Sequence, residues 1–388
     1  MSYRFAGRIG NLQPSPTVAV SDRVRELKQQ GHDVIDLGGG DPDFATPKHI
    51  CEAASEALFA GDTHYVASAG IPQLREGIAR KLKDDNGIDV DVNGIIVTPG
   101  GKSALISSVL ALAGPGDDVL TFDPGWVSYE PMATIAGANT IHVSLDASDN
   151  YRITREAIDR HITPNTRLMI VNSPNNPSGK VITQDEVDAI CSAAKDHDVI
   201  VFSDEIYEKI IYDDNKHISI AAQPGMAERT LTHNGFSKAY AMTGWRLGYV
   251  AGPVEIVKQI MKIHSHSVTC ATSFAQAGAV AALNGPQDFI QEMVSAWDRR
   301  RALIVNGLNE IPGFNCPWPQ GAFYAYPDVS GTGQDGGEIA EFLISEARVG
   351  VTPGIAFGEG SKGHIRLSYA NSDQLLEESV KRMQAAFA

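Results

Sequence analysis

The chain has 388 residues, 43% hydrophobic and 20% charged, a globular mix long enough for two or three domains and unlike a disordered or collagen-like chain. Acidic residues (47) outnumber basic ones (32) for a formal net charge of −15, which argues against non-specific binding to nucleic acid or an anionic membrane. Cys51, Cys191, Cys270 and Cys316 are too sparse for a disulfide framework and lack metal-ligand spacing, so no metal centre is expected.

The N-terminal MSYRFAGRIG holds no apolar signal core, and no run approaches the ~18 apolar residues of a membrane helix. A cytoplasmic protein without a membrane partner is the expectation. VAVSDRVRELKQQG near the N-terminus reads as a helix. GIIVTP (94–99) reads as a strand and SALISSVLALA (103–113) as the helix that follows it. Further strands are expected at 118–122, 139–145, 167–172, 198–203, 229–234 and 246–251, with a helix at 184–197. Near-continuous apolar runs mark strands buried on both faces, and their alternation with helices implies a mainly parallel sheet. From about residue 287 a long charged helix leads into GAFYAYPDV, GVTPGIAFG and HIRLSYA, read as strands of a smaller α+β unit. The predicted organisation is a large α/β domain over 47–286, with residues 1–46 and 287–388 forming an N-terminal arm and a small domain.

Ligands in open α/β sheets bind beyond the carboxyl ends of the strands. Gly100, Gly101, Lys102 and Ser103 follow the first predicted strand. Asn172, Asn175, Asn176 and Gly179 follow another, Asp204 and Tyr207 a third, Ser237 and Lys238 a fourth, and Arg246 opens the next. Singly, each has a plain structural reading: a turn, a cap or a solvated side chain. Together they ask for one ligand. Its phosphate would meet Gly101, Lys102 and Arg246, its basic ring nitrogen Asp204, its ring hydroxyl Tyr207 and Asn176, and its aldehyde Lys238. Pyridoxal 5′-phosphate carries all four groups.

These segments resemble the class I/II aminotransferases of pyridoxal-phosphate fold type I, nearest to the bacterial Iγ branch of aspartate aminotransferases. The resemblance runs through PSPTVAV (14–20), LGGGDPDFATP (37–47), THYVASAGIPQLRE (63–76), VTPGGKSAL, PGWVSY (124–129), VNSPNNPSG, SDEIYE (203–208), SKAYAMTGWRLGY (237–249), GAFY (321–324) and HIRLSYA (364–370). It implies that Lys238 is the lysine joined to the cofactor and Asp204 the partner of the pyridine nitrogen. Tyr207 and Asn176 would hold the ring oxygen, and Trp126 would flank the ring. Gly101, Lys102 and Arg246 would hold the phosphate, and Tyr65 would reach the phosphate of the neighbouring subunit in a homodimer. Arg366 would grip the substrate α-carboxylate, with Gly40 in the loop that meets the substrate. One position departs from the pattern: Gly235 stands where members often carry a serine that helps hold the phosphate.

The resemblance also implies an amino acid and a 2-oxo acid as substrates, with aspartate as the leading donor. Lys102 either reads a distal carboxylate or only supports the phosphate. Aromatic or prephenate-type substrates, and a lyase on the same fold, remain as alternatives. An aminotransferase-like sensor would need a separate DNA-binding module, and the resemblance begins too near the N-terminus to leave room for one.

Overall fold

The computed structural model describes residues 3–388. In chain order the strands are β1 (Ile35–Asp36), β2 (Ile95–Thr98), β3 (Asp118–Asp123), β4 (Asn139–Ser144), β5 (Thr166–Asn172), β6 (Ile200–Asp204), β7 (Thr230–Gly235) and β8 (Gly248–Ala251). The shorter β9 (Tyr324–Ala325), β10 (Val349–Gly350), β11 (Thr352–Pro353) and β12 (Ile365–Ser368) complete the set among the described residues.

Seven strands form the main sheet in the order β2-β8-β7-β6-β5-β3-β4. Pairing is parallel from β4 through β7, while β8 runs antiparallel to both β7 and β2. The apolar runs explain this position. Along β5, Leu168 and Ile170 face one buried layer while Met169 and Val171 face the other. Alternate residues point to opposite faces of a strand, so a run without polar breaks buries both. Each such side chain contributes about 1.5–3 kcal/mol on burial.

The predicted helices fall at Gly101–Leu112 and Gln184–Asp196. The second is started by a reciprocal cap: the Thr183 hydroxyl accepts from the Glu186 backbone, and the Glu186 carboxylate accepts from the Thr183 backbone. The first has no side-chain cap, so its first-turn amides lack that internal partner.

β9, β11 and β12 form a three-stranded antiparallel sheet in the order β11-β12-β9. It shares a core with the helices Asp288–Asn309 and Asp373–Ala386 through Trp297, Ile304, Leu308, Ile365, Leu367 and Leu376. The N-terminal helix Pro16–Gln29 joins this region: β1 pairs with β10, and Val24 and Leu27 pack with Val34 and Ile344. The predicted strands of this region shrink to two to four residues. GVTPGIAFG keeps only Gly350, at the end of β10, and Thr352–Pro353 as strand, because the chain then winds into a 3-10 turn over Gly354–Phe357. Among the described residues no helix is long and apolar enough to cross a membrane.

Candidate active site

A cavity of about 480 Å³ lies where the carboxyl ends of β5 and β6 meet the start of the Gly101–Leu112 helix and the side chain of Arg366 on β12. Gly40, Gly101, Lys102, Trp126, Asn176, Asp204, Tyr207, Lys238, Arg246 and Arg366 all line it. Tyr65 does not; its residue is 85% exposed.

Asp204 ends β6 and is buried. One carboxylate oxygen accepts from the Tyr129 hydroxyl at 2.9 Å, and the other pairs with His233 Nδ1 at 2.9 Å. Burial by itself raises the carboxyl, but the charge and hydrogen bond of His233, with the Tyr129 hydroxyl and the Ile206 amide, hold it below its usual range. The group therefore stands as a buried anion fixed on both oxygens.

Lys238 is half-buried, and its ammonium donates to the carbonyl of Gly40. It lies 5.8 Å from the centre of the Tyr207 ring and 5.7 Å from that of Phe323. Enclosure lowers its pKa to about 8; Arg366 and Arg246 push the same way, and Asp41 opposes them. Such an amine takes and gives protons near neutrality, which an ordinary lysine does poorly.

Arg366 is 2% exposed. It donates to the Asn176 side-chain oxygen at 2.9 Å and to the Gly38 carbonyl at 2.5 Å, and its guanidinium stacks 4.6 Å over the Tyr324 ring. Its Nε is buried without a partner among the described residues. A buried cation with an unsatisfied donor is poised for an anionic guest. Burial lowers its pKa, with Tyr324 and Tyr207 opposing. The Tyr207 hydroxyl meets that of Tyr324 at 2.7 Å.

At the other end, the Arg246 guanidinium lies against Gly100 and donates to the Thr243 carbonyl at 2.8 Å. Lys102 Nζ sits 5.2 Å from the centre of the Trp126 ring. Burial lowers the Lys102 pKa, and the nearby Arg246 charge adds to the effect. Two cations beside uncapped helix amides suit a phosphate. Gly235 has a structural reason: a β-carbon there would come within 2.9 Å of Gly248 Cα and 3.0 Å of the Leu247 carbonyl. The close approach of β7 to β8 excludes a side chain, and Ser237 lines the cavity instead.

Sequence reasoning missed Tyr129, His233 and Tyr324. Tyr129 lies three residues after Trp126 in the quoted PGWVSY segment, and Tyr324 ends GAFY. His233 sits inside a buried strand of mostly polar residues, TLTHNG, and its role appears only from its register opposite Asp204.

The donor set offers a phosphate cradle, a carboxylate for a basic ring nitrogen, hydroxyl and amide groups for a ring oxygen, an amine, and a cation for a carboxylate. A family model described as aminotransferase class I and II matches residues 32–383. An aspartate aminotransferase of Musicola paradisiaca is 46% identical over 384 residues, covering 98% of this chain and 96% of its own. An aspartate/prephenate aminotransferase of Cereibacter sphaeroides is 42% identical over 389 residues, covering 97% of both. The solved structure of Thermus thermophilus aspartate aminotransferase with maleate matches at a TM-score of 0.95 and 39% identity, covering 99% of this chain and 100% of that one.

Proposed function

We propose that this chain, which belongs to the class I and II aminotransferase family, is a pyridoxal-phosphate-dependent enzyme that moves the amino group of aspartate to a 2-oxo acid. The observation that carries this reading is the gathering of Lys238, Asp204 and Arg366 around one cavity. When bound, pyridoxal phosphate supplies an aldehyde that captures the amino group and a ring that withdraws electrons from the Cα bonds.

The chain's own groups then divide the work. Arg366 binds the α-carboxylate and fixes which Cα bond faces Lys238. Lys238, lowered to about 8, takes the Cα proton and returns it one position away, acting in turn as general base and general acid. Asp204, held ionised by its two partners, would keep the cofactor's ring nitrogen protonated. Tyr207 and Asn176 would hold the ring oxygen, Trp126 would flank the ring, and the Gly101 amide, Lys102 and Arg246 would hold the phosphate. Gly40 lends its carbonyl to Lys238 and meets the substrate.

Lys102 reads the distal carboxylate of the donor. Its ammonium over Trp126, on the cavity wall, supports that role, as does the dicarboxylate maleate in the Thermus relative. The name of the Cereibacter relative favours prephenate as a second substrate.

A homodimer accounts for Tyr65, which stands exposed and away from its own cavity but would reach a partner's phosphate. The four free cysteines suit a reducing cytoplasm.

Borohydride reduction of the purified protein, followed by peptide mass spectrometry, tests the assignment. The reduced cofactor is expected on the peptide containing Lys238; its attachment at another lysine, or at none, would contradict the reading.

A further inference from the structure

The two side chains that hold Asp204 differ in kind. Tyr129 reaches it from the helix Tyr129–Ala136 and has no other role at this carboxylate than its hydroxyl bond. His233 lies directly opposite Asp204 in the β6–β7 register, 4% exposed, with its ring stacked on Phe202 at 5.7 Å. Its Nδ1 is committed to Asp204, while its Nε2 is buried without a partner among the described residues. That far edge of the ring is packed on the first residue of the phosphate-side helix: a β-carbon at Gly101 would lie 2.3 Å from Nε2 and 2.6 Å from Cε1. The three nearest atoms to such a carbon all belong to His233. Gly101 has no positive φ, so its backbone tolerates alanine and the ring is the obstacle.

Resting on the function proposed above, we propose that His233 is a positioning residue that ties together the two ends of the cofactor site. Its Nδ1–H fixes the Asp204 carboxylate, and its opposite edge sets where the Gly101–Leu112 helix begins. The spacing between the ring-nitrogen partner and the phosphate cradle is then the width of one imidazole, wedged between a strand end and a helix start. The charged and titratable groups around it are Asp204 and Tyr129 on one side and Lys102 and Arg246 beside the helix start.

The test is a double-mutant cycle on pyridoxal 5′-phosphate binding, read by fluorescence titration of the apoprotein. It is joined to the pH midpoint of the bound cofactor's absorbance. Gly101→Ala is expected to weaken binding about tenfold or more by displacing the ring. His233→Ala is expected to weaken it similarly and to shift the absorbance midpoint by about half a pH unit or more. The double variant is expected to bind no worse than His233→Ala alone, because the clash is gone. His233→Asn, whose amide supplies a donor near the Nδ1 position but leaves the helix side unfilled, is expected to restore the absorbance midpoint and only part of the lost affinity. Losses that simply add in the double variant, or an unmoved midpoint in His233→Ala, would overturn the proposal. Thermal melting of each apoprotein identifies a variant that has lost its fold; His233→Val, which also lacks both the Nδ1 donor and the far edge of the ring, then takes the place of His233→Ala. A wild-type protein that binds no pyridoxal phosphate sinks the proposed function itself, whereas a wild type that binds it and variants that match it sink only the role of His233.

Discussion

Arg366 donates to the side-chain oxygen of Asn176 at 2.9 Å across 190 residues of sequence. This bond links β12 of the small sheet to the turn after β5 of the large one. The cation proposed to bind the substrate carboxylate and the amide proposed to meet the ring oxygen are thereby held as one unit. Arg366→Lys keeps the charge but loses the planar pair of donors. The Michaelis constant for the amino donor is expected to rise about tenfold or more, with cofactor affinity changed far less. Steady-state kinetics with the donor varied check this, and an unchanged Michaelis constant would refute the role of Arg366.

Asp204 contributes its charge, and Asp204→Asn removes that charge at nearly constant shape. The expected loss in kcat is about 10²–10³, as for other fixed charges facing a reacting centre. Absorbance should show the cofactor still bound, which separates lost catalysis from lost binding. A variant within about threefold of the parent rate would show that the ring nitrogen needs no anion.

Lys238 gives a pH signature in the apoprotein. Its folded pKa, about 8, lies below its ordinary value of 10.5. Between these values the unfolded chain binds more protons than the folded one, so stability contributed by this group rises with pH across that window. Below pH 8 the buried ammonium is a standing cost. Lys238→Met apoprotein is therefore expected to melt above the wild-type apoprotein at pH 7, with the gap closing as pH rises from 8 towards 10.5. Differential scanning calorimetry across that range checks the sign; a gap that widens with pH would contradict it.

Lys102 tests substrate choice. Lys102→Gln is expected to reduce the preference for aspartate over alanine, measured as the ratio of kcat/KM values, by about tenfold. An unchanged preference would leave Lys102 as a phosphate support only.

Much of this architecture is legible in the sequence because its strands are buried on both faces. Runs such as RLMIVN, with five consecutive uncharged residues, fit a strand buried on both faces, and a sheet of that kind collects its ligand groups at the strand ends. Lys238, Asp204 and Arg246 could therefore be gathered from chain order alone. The small sheet was less readable because its strands are two to four residues long, too short for a period to show. His233 is not legible in the sequence for a different reason. Strand register, which puts it opposite Asp204, is a property of two segments and is not written in either one. Tyr65 illustrates the converse: the motif that singles it out points to a second chain, and within one chain it remains on the surface.

The central claim is that the cavity around Lys238 and Asp204 transfers an amino group and does not eliminate one. It is tested most directly by adding L-aspartate to the purified holoenzyme with no 2-oxo acid present. The account predicts one equivalent of oxaloacetate per subunit, conversion of the bound cofactor to its amine form, and no further turnover until a 2-oxo acid is supplied. Continued product formation with the aldehyde form regenerated and ammonia released would contradict it.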